Sequence, residues 1–103
     1  MILKVFSLLD VKAGIYNQPF FMAHAGQAIR AVTDLGQDKS TVPGRHPADF
    51  MLVEIGEFDD TTGVMTSHHI SKPLGLVASF LPVVEAATAV LKEFVAEGEK
   101  IDG

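Results

Sequence analysis

Two copies of the pattern Asp-x-x-x-Gly, each lying between two apolar runs, constrain the fold of this chain more than any other feature of its sequence. The first copy is Asp10–Gly14 and the second is Asp59–Gly63, 49 residues further along. Asp accepts hydrogen bonds from backbone N–H groups in a turn, and Gly adopts the positive φ that such turns need, so each copy predicts a β-hairpin. The four predicted strands are the apolar runs at residues 2–9, 15–22, 50–58 and 64–70.

A helix is predicted after each hairpin. In residues 24–36 the apolar side chains recur at helical spacing, and Gly36 is a typical stop signal. From Ser79 onward the i, i+3, i+4, i+7 pattern recurs, with Ser79 as a favourable N-cap, Pro82 tolerated in the first turn and Gly98 at the end. The second helix is therefore expected to be amphipathic and to occupy the C-terminal part of the chain.

The remaining segments predict connections. Residues 37–49 are polar and contain two prolines, which indicates one long loop of the kind that often carries function. Residues 71–78 predict a linking segment around Pro73 and Gly75. Since Pro19 cannot donate a ladder hydrogen bond, the second strand of the first hairpin is expected to be short or at a sheet edge.

Together these elements predict an α+β fold in which two β-hairpins form a small antiparallel sheet with two helices, in the order ββα-ββα. The similar spacing in both halves is consistent with an internal repeat, although any two hairpins can share such turns. We expect a single domain over residues 1–103, divided into a body at residues 1–78 and a C-terminal amphipathic helix at residues 79–103.

Composition limits the classes of function. The 103 residues include no cysteine, which excludes disulfides, thiolate catalysis and zinc–thiolate sites. Residues 1–79 carry a net charge of −2 and residues 80–103 a net charge of −3, so the body is near neutral and a local basic patch remains open. No apolar run reaches the roughly 18 residues of a membrane span, and no signal-type apolar region opens the chain, so we expect a cytoplasmic protein without membrane contact.

Four short segments, in the same order, resemble a known family. They are Val5–Phe21, Ala28–Arg30, Arg45–Phe50 and Ile55–Gly63. Over roughly residues 3–65 the chain resembles the small non-structural protein of gokushovirus-type microviruses, which are single-stranded DNA bacteriophages. His46 and Phe50 stand where the family has tyrosines, and the acidic helix from Ser79 extends beyond the resemblance.

The resemblance implies a non-structural accessory protein that is made during infection in the cytoplasm of the host bacterium. By analogy with other microviruses, such a protein would act in viral single-stranded DNA synthesis or packaging. Its partners would be single-stranded DNA, the viral replication initiator or a capsid precursor. These partners are expectations from the resemblance and do not follow from composition or spacing.

Candidate chemistry in the chain favours binding over catalysis. His68 and His69 are adjacent on a strand, so their side chains point to opposite faces and cannot readily chelate one metal. Asp59 and Asp60 lie in a turn, where Asp is common for its backbone hydrogen bonds. The sequence contains no GxSxG, P-loop or HExxH pattern. We therefore expect no enzyme, no catalytic residue, no metal and no cofactor.

Two groups of residues are candidates for binding. Arg30, Lys39, Arg45 and Tyr16 are the candidates for nucleic-acid contact, with Phe20 and Phe50 as further stacking platforms unless these two belong to the core. The C-terminal seam is the candidate oligomer interface and comprises Phe80, Val84, Ala87, Leu91 and Phe94. The alternative for this seam is packing on the chain's own sheet. The two functional hypotheses are a DNA-binding accessory protein and a homo-oligomeric interaction module or scaffold without direct DNA contact.

Overall fold

The computed structural model describes residues 1–82. These residues form the predicted α+β fold, with a five-stranded antiparallel sheet and short helices. The strands are β1 (Ile2–Asp10), β2 (Ile15–Tyr16), β3 (Phe20–Met22), β4 (Phe50–Asp59) and β5 (Met65–Leu76). The helices are α1 (Ala25–Gly36), α2 (Val42–Arg45), a 3₁₀ helix (Pro47–Asp49) and α3 (Val77–Phe80).

The strand order is symmetric about the centre of the sheet. It runs β2-β1-β4-β5, and β3 pairs with β1 further along the same edge as β2. Each hairpin thus contributes its first strand to the central β1–β4 pair, which extends from Ile2 opposite Asp59 to Asp10 opposite Phe50. The ββα-ββα order is approximate because the first hairpin has two short return strands and the long loop contains helical turns.

The two Asp-x-x-x-Gly turns have the same geometry. Gly14 N donates to the Asp10 carbonyl at 2.8 Å, and Gly63 N donates to the Asp59 carbonyl at 2.7 Å. The two glycines adopt φ of 71° and 76°, a conformation that is costly for a residue with a Cβ. The predicted turn chemistry is therefore present in both hairpins.

The return strands differ from the sequence prediction. The strand predicted over 15–22 is interrupted at Asn17–Pro19, because Pro19 has no N–H to donate. The connection predicted over 71–78 is wrong in its first part, since β5 continues to Leu76. Pro73 is tolerated there because β5 is an edge strand and its register with β4 shifts next to Pro73, between Leu52 and Val53.

The start of the C-terminal helix also differs. Leu76, and not Ser79, is the N-cap of α3, and Ser79 Oγ donates to the Leu76 carbonyl at 2.6 Å from within the helix. The helix ends at Phe80 because Leu81 is extended, with φ −71° and ψ 148°. The rest of the amphipathic helix predicted over 79–103 lies outside the described residues.

The core lies between one face of the sheet, here called the inner face, and helices α1 and α3. Buried side chains from β1, β4 and the helices form one cluster that consists of Phe6, Leu8, Ala28, Val32, Phe50, Leu52 and Val77. Helices α1 and α3 pack closely, since a Cβ at Gly36 would lie 2.6 Å from Val77 Cγ1. Phe50 is thus a core residue and is not available as a stacking platform, whereas Phe20 is partly buried and packs against the core.

Candidate nucleic-acid interface

The loop between α1 and β4 brings two predicted cationic residues together. Lys39 Nζ donates to the Gly44 carbonyl at 3.1 Å, and Arg45 Nη1 donates to the Lys39 carbonyl at 3.2 Å. Both residues are exposed. Each side chain retains further N–H donors, because Lys has three and Arg has five. The loop therefore presents an ammonium and a guanidinium group at the surface, each anchored to a backbone carbonyl of the same loop.

Local hydrogen bonds hold this loop in one conformation. Thr41 caps α2, since its Oγ1 accepts from Gly44 N at 3.0 Å and donates to the Asp38 carbonyl at 2.7 Å. Asp38 accepts hydrogen bonds from the hydroxyl and the N–H of Ser40, which lower the pKa of its carboxyl group. Gly44 is required because a Cβ there would collide with the Asp38 carbonyl. The segment predicted as a long loop is thus largely hydrogen-bonded structure.

The first hairpin turn lies against the same region. Val11 N donates to the Asp49 carbonyl at 2.9 Å, which ties the turn to the 3₁₀ helix. Lys12 in this turn is exposed, and Tyr16 on the neighbouring strand β2 is 49 % exposed. We call this region, comprising the turn Asp10–Gly14, strand β2 and residues 37–49, the loop end. It contains three of the four predicted DNA-contact residues, together with Lys12, which the sequence analysis did not single out.

Arg30 is placed apart from this group. It lies on the exposed side of α1, six residues before Gly36, which is about 9 Å along the helix axis at about 1.5 Å per residue. The predicted set of Arg30, Lys39, Arg45 and Tyr16 is therefore brought together only in part. The contact between Lys39 and Arg45 could not be read from their spacing because it depends on the turn at Thr41.

A buried carboxylate forms the main charged cluster in the described part of the chain. Glu54 on β4 is 5 % exposed, and its Oε2 lies 2.6 Å from His68 Nε2 and 3.7 Å from Lys72 Nζ. Lys4 Nζ lies 4.0 Å from the same oxygen and 3.4 Å from Glu57. The sequence analysis missed this cluster, although Glu54 stands at an inner-face position of a strand whose other inner positions include Phe50 and Leu52.

The histidines and aspartates that were candidate metal ligands point apart or form hydrogen bonds with other groups of the protein. His69 is exposed while His68 turns to Glu54, in agreement with the opposite orientations expected for neighbours on a strand. The Asp59 carboxylate accepts a hydrogen bond from Thr61 N at 2.9 Å, and this bond lowers the pKa of Asp59. The Asp60 carboxylate accepts a hydrogen bond from the N-terminal amine at 2.7 Å, and this bond raises the pKa of that amine. Among residues 1–82 no group of three or more potential ligands could hold a metal ion.

The candidate oligomer residues are only partly described. Phe80 packs against the chain's own core, and its ring lies so close to Gly75 that a Cβ there would be 2.9 Å from Phe80 Cζ. Val84, Leu91 and Phe94 lie outside the described residues. An open groove of about 650 Å³ lies between α1 and β3 and is lined mostly by apolar side chains, with Asn17 and Gln18 as its polar members. No helix in the described part of the chain is both long and apolar enough to cross a bilayer.

Comparison with known families gives one finding. Residues 3–80 match the family model described as Phage ORF5 protein, which covers about three quarters of the chain. The match ends where α3 ends, and so coincides with the sheet and its helices. No curated protein and no solved structure matches the chain significantly.

Proposed function

The chain belongs to the phage ORF5 protein family, and on that premise we propose that this phage accessory protein acts in viral single-stranded DNA synthesis or packaging by binding DNA through its loop end. The sequence resemblance supports a phage of the gokushovirus-type microviruses, and hence a site of action in the host bacterial cytoplasm. The observation that carries the proposal is the exposed pair of Lys39 and Arg45, whose side chains both donate to backbone carbonyls of the same loop.

The chemistry of these groups suits an unpaired strand. Arg and Lys donors bind phosphate oxygens, and an exposed tyrosine ring offers a surface on which a base can stack. Because the loop is fixed by its own hydrogen bonds, little conformational freedom is lost on binding. The scaffold thus presents its cations ready for the backbone of single-stranded DNA.

The charge balance predicts weak and salt-sensitive binding. The loop end carries three cations and three carboxylates, namely Lys12, Lys39, Arg45, Asp10, Asp38 and Asp49. If all three cations meet phosphates, log K should fall with log salt concentration with a slope of about −2, at about −0.7 per phosphate for a single strand. Such a contact would position the protein on DNA without reading its sequence.

Fluorescence anisotropy with a labelled oligonucleotide of about 16 nucleotides, which covers known single-strand site sizes, tests the proposal. We expect Arg45→Ala to weaken binding several-fold at low salt and to reduce the magnitude of the salt slope by about 0.7. Lys72→Ala is the matched control, since Lys72 is exposed but pairs with Glu54 at a different site. An equal loss in both variants, or no binding by the wild type at low salt, would contradict DNA contact at the loop end.

A second candidate partner is a viral protein, either the replication initiator or a capsid precursor. The equal number of cations and carboxylates at the loop end favours this alternative. A surface with charges of both signs complements a protein surface that also has both signs better than it complements the uniformly negative phosphates of DNA. Asp49→Ala separates the two cases. Removing this carboxylate should strengthen binding to DNA, whereas it should weaken a complex that uses both signs of charge.

A further inference from the structure

The two faces of the central strand pair differ in an unusual way. All five charged residues of β1 and β4 occupy inner-face positions, and they are Lys4, Asp10, Glu54, Glu57 and Asp59. This follows from the register, since Lys4 lies opposite Glu57, Asp10 opposite Phe50 and Ile2 opposite Asp59. The opposite face, here called the outer face, receives none of these charges.

The outer face is apolar along most of its length. Its members alternate with the core residues of β1 or pair with those alternates directly or through one further strand, and they are Leu3, Val5, Ser7, Leu9, Tyr16, Phe21, Met51, Val53, Gly56, Phe58, Met65, Ser67, Pro73 and Leu76. Phe21 and Phe58 form an edge-to-face pair with ring centroids 5.5 Å apart. Phe21 is 41 % exposed and Met65 is 52 % exposed.

An antiparallel sheet that meets water on one side usually places polar residues there. Here both helices that pack on the sheet, α1 and α3, cover the inner face through Ala28, Val32 and Val77. Within residues 1–82 no helix covers the outer face. At its centre Val5, Ser7 and Val53 are already buried within the single chain, so the surface left for a partner consists of the exposed and half-buried apolar side chains around them.

We propose that the partner is a second copy of this chain, packed outer face to outer face across a two-fold axis. An uncharged face brings no like-charge repulsion against itself, and a two-fold interface uses the same patch on both subunits. Sheets stacked in this way lie about 10 Å apart, as in β-sandwiches. DNA is a poorer occupant because phosphates require cations, and none of the charged residues of the central strands is on this face.

The available area is sufficient for a dimer. Strand β1 has nine residues and is about 30 Å long at about 3.3 Å per residue, and four strands about 4.8 Å apart span about 19 Å. Two such faces, counted as flat areas without the extra surface of the protruding side chains, would bury on the order of 1,100 Å² in total. This total is at the low end for specific interfaces.

The proposal of a dimer does not rest on the proposed function, but a dimer would change how the protein binds DNA. Two copies would present two loop ends on one particle. If the Lys39 and Arg45 side chains of both loop ends bind one DNA strand, the second contact becomes intramolecular and increases the total affinity, whereas Tyr16, an outer-face residue, would lie in the dimer interface and would not be free to stack on a base. This would offset the weak binding expected from each near-neutral loop end.

Size-exclusion chromatography with light scattering, from micromolar to millimolar concentration, tests the inference on the full chain. We expect a wild-type dimer whose dissociation constant rises at least tenfold in Met65→Glu and in Phe21→Glu, because either change buries a charge in the interface. Val42→Glu is the matched control, since Val42 is 50 % exposed on α2, away from the sheet. Circular dichroism of each variant checks that it is folded.

Three outcomes would overturn the inference. One is a wild-type protein that is monomeric at every concentration. Another is a dimer that survives both outer-face variants but dissociates in Leu91→Asp, which would assign self-association to the C-terminal segment. The third is an equal loss in Val42→Glu. A second variant pair, Phe21→Ser and Met65→Ser, replaces the glutamates if either of them unfolds the chain.

Discussion

Glu54 shows how a charge can be held inside this sheet. Its carboxylate meets partners from two strands, with Lys4 on β1 and both His68 and Lys72 on β5. Strand β5 is irregular there, because its register jumps from Lys72 opposite Glu54 to Ser67 opposite Gly56. The contact with His68 thus anchors an irregular stretch of β5 to the centre of the sheet.

We expect Glu54→Ala to lower the free energy of unfolding by about 2–3 kcal/mol, since it removes a buried carboxylate and leaves its hydrogen-bond partner unsatisfied. Lys72→Ala should change it by less than about 0.5 kcal/mol, because Lys72 is largely exposed and exposed ion pairs contribute little. Urea denaturation measures both values. Equal losses of unfolding free energy in the two variants would show that the stability contributed by the cluster does not come from the burial of the Glu54 carboxylate.

Each of the two hairpin turns depends on one glycine with positive φ. Nothing lies within 4 Å of the position where a Cβ would be at Gly14 or at Gly63, so space is not the constraint at either position. The constraint is the left-handed backbone, with φ of 71° and 76°. Because both turns share this feature and the same carbonyl-to-amide hydrogen bond, the element itself is repeated in the chain.

Gly14→Ala and Gly63→Ala should each lower the free energy of unfolding by about 1–2 kcal/mol, the cost of a left-handed L-residue. The two losses should be equal within error in thermal or urea denaturation. The control is Gly26→Ala in the first turn of α1, where the nearest atoms belong to the flexible His24 side chain. Alanine favours helix there, so no loss is expected. Losses that differ between the two turns would contradict their equivalence.

At the scale of the whole molecule, the core formed by the described residues 1–82 lies within the part that matches the family. All residues of the hydrophobic cluster precede Pro82, and the match covers residues 3–80. Since one core in a chain of this size can support folding without disulfides, we expect residues 1–82 to maintain this packing by themselves.

A chain shortened to residues 1–82 should therefore fold by itself. We expect a single cooperative thermal transition and a far-ultraviolet circular dichroism spectrum with a strong strand contribution, because sheet, α1 and α3 are all retained. Full-length protein is the reference for the midpoint. A broad, non-cooperative transition in the shortened chain would show that the C-terminal segment contributes to the fold.

The sequence by itself determined the features that depend on neighbouring residues. The two turns follow from Asp and Gly four positions apart, and α1 follows from its apolar periodicity, with only its first residue shifted to Ala25. The α+β class followed from the order of these elements. Local chemistry was sufficient because each signal and its structure lie within one turn or one helix.

Tertiary structure alone decided the features that depend on distant residues. Strand β5 extends through Pro73 and Gly75 because β4 offers a pairing edge, which overrides two local breaking signals. The same long-range pairing buries Glu54 and places every charge of the central strands on the inner face. The register between β1 and β4 is set across about fifty residues of chain, so no local pattern could have revealed it.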